Sequence, residues 1–121
     1  MAEAQQRAQV LTDDYQKLQA ELQTIVAARQ KLESQQQENK GVKREFDSLA
    51  EEANIYKLVG PVLLKQEKTE AVMAVDGRLE FIDNEIKRTE KQIADIQASS
   101  DAKRSEIIAL QQSQAPQQAS A

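Results

Sequence analysis

Paired carboxylates are the first groups in this sequence that could do chemistry: Asp13-Asp14 and Glu51-Glu52 each set two hard oxygen donors side by side. Such pairs attract a divalent cation, yet neither has the loop and ligand count of a Ca²⁺ site. Lys87-Arg88 with Lys91 concentrates positive charge, but Glu85 and Glu90 flank it at helical spacing, so it reads as a solvated face and not a polyanion site. The chain has no His and no Cys. The commonest general base, a common transition-metal ligand and the soft nucleophile are therefore all missing. The remaining carboxylates fall on exposed helix surfaces, with no apolar pocket to raise a pKa. There is no Gly-rich phosphate loop, no Walker-type Lys-Ser/Thr and no Mg²⁺-binding Asp cluster. Neither catalysis nor a bound cofactor or metal is expected.

Composition narrows the partners. With 20 acidic against 16 basic residues the formal charge is −4, and no face gathers Lys and Arg without Glu or Asp between them, which argues against a nucleic-acid footprint. No apolar stretch approaches the roughly 18 residues needed to span a bilayer, and the first residues lack the charged and apolar regions of a signal peptide. A soluble chain in a reducing, cytoplasmic setting is the expectation, one with which the absence of Cys agrees. With 121 residues, no Trp, two Phe and two Tyr, there is room for one domain but little to fill a globular core. The abundance of Gln, Glu, Lys, Ala, Leu and Ile is that of long helices stabilised by packing on one another.

The elements follow from hydrophobic period. Every seventh residue from Leu11 reads Leu11, Leu18, Ile25, Leu32, Asn39, Phe46, Ala53, a coiled-coil seam with one polar member. Its companion row is Tyr15, Leu22 and Arg29, then Val42 and Leu49, so the stripe is expected to drift sideways between Leu32 and Val42, beside the polar stretch 35–41. The second arm keeps its step of three and four from Val72 through Val75, Leu79, Ile82, Ile86, Thr89, Ile93, Ile96, Ser100, Lys103 and Ile107 to Leu110. Gly41 and Gly77 each weaken a helix interior by about 1 kcal/mol relative to Ala. Beyond Leu110 the period is lost and Pro116 intervenes, so residues 111–121 are expected to be a disordered tail.

Between the arms, Ile55 to Val59 and Val62 to Gln66 read as two short strands joined across Gly60-Pro61. A helix cannot pass that point, so the chain must fold back. The expected fold is mostly α: a long antiparallel two-helix coiled coil joined by a short β-hairpin, with helices over 5–53 and 69–110 and the hairpin over 54–67. If the arms face each other symmetrically about the turn, paired residue numbers sum to roughly 125. Phe46 would then meet Leu79, Ile25 would lie near Ser100 and Leu22 near Lys103, polar against apolar, which would loosen the end away from the turn. A helix of about 45 residues is on the order of 65 to 70 Å long, placing the free ends far from the hairpin.

A lone two-stranded hairpin is marginal in water and leaves both outer edges with unsatisfied N–H and C=O groups. Pairing with hairpins of other chains, closing a sheet or barrel, would satisfy them; the other reading is a hairpin that caps the rod and packs on its own helices. Tyr56, Leu58, Val59, Val62, Leu63 and Leu64 are the candidates for burial between subunits. The run Tyr56-Lys57-Leu58-Val59-Gly60-Pro61-Val62-Leu63-Leu64-Lys65-Gln66, set between heptad arms of nearly equal length, closely resembles the β-type subunits of prefoldin. Arg29-Gln30-Lys31-Leu32-Glu33, Arg78-Leu79-Glu80-Phe81-Ile82 and Glu85-Ile86-Lys87-Arg88 support it. The resemblance implies a prefoldin-like domain over 1–110 that joins other α- and β-type subunits in a jellyfish-shaped heterohexamer. Its hairpins would form a β-barrel platform, and its helical tips would hold unfolded actin and tubulin, without ATP, for the cytosolic group II chaperonin.

At the free ends Val10, Leu11, Tyr15, Leu18, Ile107, Ile108 and Leu110 are the candidate client-binding residues. Some lie on the seam and would close the coiled coil. Val10 and Ile108 stand beside it and widen the apolar surface beyond what two helices bury, and such a surface grips without reading sequence, because hydrophobic burial is non-directional. The alternative is a structural or tethering coiled coil that holds no client.

Overall fold

The computed structural model describes residues 2–119, in the order α1 (Ala2–Ser48), β1 (Ile55–Val59), β2 (Val62–Gln66) and α2 (Lys68–Ala119). The two-helix, one-hairpin fold expected from the sequence is thus the one observed. Two compact units divide it: one takes the chain up to Ala28 and from Thr89 onward, the other is Arg29–Arg88.

The Arg29–Arg88 unit contains the turn. Strands β1 and β2 pair antiparallel, Ile55 opposite Gln66 and Val59 opposite Val62, leaving Gly60 and Pro61 as a two-residue connection. Gly60 takes φ of 59°, and the ring of Pro61 fixes a negative φ. That order of signs is what a type II′ turn requires, and its twist matches that of the flanking strands.

Helix α1 stops at Ser48, five residues before the expected end at 53. Continuing would have brought to the seam only Ala50 and Ala53, whereas turning buries Ile55 to 7% exposure, a contribution of about 1.5 to 3 kcal/mol. The end is closed by the Leu49 N–H on the Phe46 carbonyl at 3.2 Å and the Ser48 hydroxyl on the Glu45 carbonyl at 2.9 Å. The last turn of α1 holds no basic residue; Lys68 supplies the cation instead, donating from Nζ to the Leu49 carbonyl at 3.0 Å. Glu67 opens α2, its carbonyl accepting the Ala71 N–H at 3.0 Å.

Within this unit Ala71, Val75, Ile82 and Ile86 of α2 are buried. On α1 the half-buried positions include Arg29, Leu32, Gln36, Asn39, Lys43 and Phe46, a row that steps by three and four, with Glu33, Gln35 and Gly41 half-buried beside it. The sideways drift toward Val42 does not occur: Val42 is 39% exposed, and the seam keeps its phase by accepting polar residues. Lys43 resolves its place there by pairing with Asp76, Nζ to Oδ1 2.7 Å, and Asn39 donates to the Gln35 carbonyl at 2.8 Å.

In the other unit Leu11, Thr89 and Ser100 are buried, with Tyr15, Leu18, Leu22, Ile25, Ile93, Ile96, Ile107 and Leu110 half-buried around them. Ser100 accepts from Gln19 Nε2 at 2.6 Å, and Lys103 approaches Asp14 at 3.8 Å. The expected neighbours were Ile25 and Leu22, so α1 is displaced by about one heptad from the symmetric register. Unequal connections explain the slip, since residues 49–54 link α1 to β1 while Glu67 alone links β2 to α2. The polar α2 positions consequently find polar partners, and the anticipated mismatch is absent.

Helix α2 also continues past Leu110 to Ala119, where a disordered tail was expected. Residues 120 and 121 of that expected tail lie outside the described residues.

Candidate functional site

Opposed residues of an antiparallel pair share a face, so the register sorts the hairpin side chains. Lys57, Val59, Val62 and Leu64 lie with Ile55 on one face; Tyr56, Leu58, Leu63 and Lys65 lie on the other. Ile55 is buried, but Tyr56, Leu58, Val59, Val62, Leu63 and Leu64 are all about half to two-thirds exposed, Leu58 reaching 68% and Leu63 62%. A strand pair covered on one side would alternate apolar and polar. This ribbon shows apolar side chains to solvent on both sides.

Its edges are equally open. The sheet has two strands only, and the residues that flank a two-residue turn spend their backbone groups on each other. By the same alternation Tyr56 and Leu58 point theirs away from β2, and Leu63 and Lys65 point theirs away from β1. Each edge is a row of free donors and acceptors.

The structure separates the seven terminal residues into three kinds. Leu11 is 6% exposed and belongs to the seam. Tyr15, Leu18, Ile107 and Leu110 are half-buried. Val10 at 57% and Ile108 at 42% are open to solvent, and Ile108 lines a shallow depression with Tyr15, Arg104 and Ile107. Val26, 37% exposed, adds an apolar side chain on α1 of this unit that the sequence reading did not single out. So do Met73 and Phe81 in the other unit, where Val42 and Leu49, expected in the companion row of the seam, are exposed as well. Their signal is heptad phase: Met73 and Phe81 fall on outward-facing positions once Val75, Leu79 and Ile82 define the seam.

The Asp13-Asp14 pair and the Lys87-Arg88 cluster are engaged by neighbouring side chains and form no reactive cluster. Asp13 accepts from Gln9 at 3.0 Å and Asp14 faces Lys103. Lys87 pairs with Asp83 at 3.1 Å and Arg88 with Glu85 at 2.8 Å; the hydrogen bond Arg88 donates to Glu85, then the Glu85 charge, raise the Arg88 pKa above the ordinary guanidinium value. Lys43 is likewise raised, first by its hydrogen bond to Asp76 and then by that charge. Among the described residues no group of three acidic or metal-ligating side chains converges, and no helix is long and apolar enough to cross a membrane.

Two long helices, a coiled-coil seam in each unit and an uncovered two-faced ribbon define a helix–hairpin–helix coiled-coil protein, the class to which prefoldin-type subunits belong. The chain belongs to the prefoldin subunit family, whose pattern, described as Prefoldin subunit, it matches over residues 9–114. It is similar to prefoldin subunit 6 of Saccharomyces cerevisiae, 55% identical over 96 residues covering 79% of this chain and 84% of the yeast protein. Prefoldin subunit 6 of Homo sapiens is 43% identical over 108 residues, 89% of this chain and 84% of the human one. Among solved structures, the prefoldin beta subunit from Thermococcus strain KS-1 superposes with a TM-score of 0.79 at 25% identity, covering 84% of this chain and 89% of that one. The beta2 subunit from the same strain gives 0.65 at 26% identity over 75% and 97%.

Proposed function

We propose that this chain is a β-type subunit of an ATP-independent co-chaperone, a heterohexamer of two α-type and four β-type prefoldin subunits. The hairpin is its assembly element, adding its edges to strands of neighbouring subunits to build a β-barrel platform. The terminal unit is its client element: Val10 and Ile108, with the half-buried residues beside them, take up apolar segments of unfolded chains of the actin and tubulin class. The assembly passes these in the cytoplasm to the group II chaperonin. Several weak contacts from different subunits add up through multivalency, which suits a holder that must later let go.

The observation that carries this reading is the exposure of six apolar hairpin side chains on both faces of a ribbon with open edges. A tethering coiled coil gains nothing from such a ribbon, whose long-term exposure invites aggregation. Leu63→Asp places a charge where burial is required and is expected to abolish incorporation while leaving helix content unchanged. Co-purification with the other subunits followed by native mass spectrometry reads the first, circular dichroism the second. A Leu63→Asp chain that still enters the complex stoichiometrically defeats the assembly role. Independently, the complete complex is expected to suppress aggregation of a denatured protein diluted from guanidinium; no suppression returns the chain to the tethering class.

A further inference from the structure

The two most exposed large apolar side chains of α2, Met73 at 68% and Phe81 at 65%, belong to neither candidate site. They stand eight residues apart with Gly77 midway, so at helical spacing the three make one ridge, large, empty, large. The gap has no cause inside this chain: a Cβ on Gly77 would meet no atom within 4 Å, while glycine weakens a helix interior relative to alanine. Gly77, Arg78 and Phe81 line an open groove with Gln35 and Asn39 of α1, and the Arg78 guanidinium makes no ion pair or hydrogen bond with any described residue. Ridge, groove and hairpin all belong to the Arg29–Arg88 unit.

We propose that the Met73–Gly77–Phe81 ridge receives a helix of an adjoining prefoldin-family subunit. That helix seats a large aliphatic side chain over Gly77, rests its apolar stripe on Met73 and Phe81, and brings a carboxylate to Arg78. The inference rests on the assembly reading above and goes beyond it, since the hairpin edges take strands and this ridge takes a helix. A helix fits because a step of four residues is the spacing of a helix's own surface ridges, which interdigitate with another's grooves. A strand does not, because the backbone of α2 is satisfied internally and has nothing to pair with it. A close approach gives the missing Cβ a purpose, and the flexible thioether of Met73 adapts to an irregular neighbour. The uncompensated Arg78 selects an acidic partner. An adjoining subunit is favoured over an outside protein because whatever pairs with the hairpin is held against this same unit.

The test uses the complete complex reconstituted from full-length subunits, with p-benzoylphenylalanine in place of Phe81. Irradiation is expected to cross-link it to a helical segment of an adjoining subunit. Cross-links only within this chain, only to a protein outside the complex, or none at all overturn the proposal. Phe81→Ser combined with Arg78→Glu is expected to weaken incorporation about tenfold. Gly77→Gln separates docking from folding: it is expected to raise the thermal midpoint of the free chain yet weaken incorporation to a similar degree. If these variants incorporate normally while Leu63→Asp does not, the ridge is refuted and the hairpin reading stands. If Leu63→Asp incorporates normally, the hairpin reading falls and the cross-link alone decides the ridge.

Discussion

Lys43 shows how a single residue can keep a seam in phase. A lysine at a core position of a coiled coil loses hydration without gaining apolar contact, and here the loss is offset by Asp76 across the seam at 2.7 Å. The hydrogen bond to Asp76, and then its charge, raise the Lys43 pKa above its ordinary value of 10.5. The folded chain therefore binds this proton more tightly than the unfolded one. The pair's stabilisation is complete below the ordinary lysine value and is lost as pH rises through the raised one. Between about pH 9 and about pH 12 the thermal midpoint of the native chain is expected to fall more steeply than that of Lys43→Met, whose seam residue does not titrate. Parallel curves for the two proteins would show that the ion pair does not contribute. Ser100 repeats the lesson: a polar residue buried to 3% exposure is tolerated because Gln19 reaches it, and an unanswered hydroxyl there would cost about 1 to 3 kcal/mol.

At the scale of elements the hairpin is the part whose conformation is most tightly specified. Gly60 holds φ of 59° with open space where a side chain would stand, so Gly60→Ala carries backbone strain and no steric clash. The left-handed conformation costs an alanine roughly 1 to 2 kcal/mol. That strain is expected to weaken incorporation into the complex about tenfold, read by competition against native chain, with the helical circular dichroism signal unchanged. An equal affinity would mean that the turn is not held in this geometry once strands dock. The hairpin was legible in the sequence because its signals are local: Gly-Pro at the turn and β-branched or leucine side chains on either side. The end of α1 was not. Leu49, Ala50, Glu51, Glu52 and Ala53 all favour helix, and what stops the helix at Ser48 is the burial of Ile55 and the reach of Lys68 to the Leu49 carbonyl, neither of which a local pattern contains.

For the molecule as a whole, the surface left uncovered is more informative than the core. Eight residues, six of them apolar, make up the buried set among those described, and the exposed large apolar side chains outnumber them. On the assembly reading proposed above, a partner that covered the hairpin would stabilise the chain, and its apparent stability would then rise with that partner's concentration. In the complete complex Val10→Ser with Ile108→Ser is expected to reduce suppression of client aggregation while leaving assembly and melting unchanged, because neither residue holds the seam. Light scattering of a diluted denatured protein measures the first, and native mass spectrometry with a thermal melt the second. Undiminished suppression would assign client holding elsewhere.

Sequence alone established two heptad helices, the hairpin between them, the turn residues and the poverty of catalytic groups, because periodicity, turn chemistry and residue inventory are all local properties. Only the tertiary structure decided the register of the arms and the phase of the seam through Gln36, Asn39 and Lys43. A heptad pattern displaced by seven residues superposes on itself, so apolar spacing cannot distinguish neighbouring registers. Unequal connections and a few polar matches, Gln19 with Ser100 and Lys43 with Asp76, remove that degeneracy, and both join residues far apart in the chain.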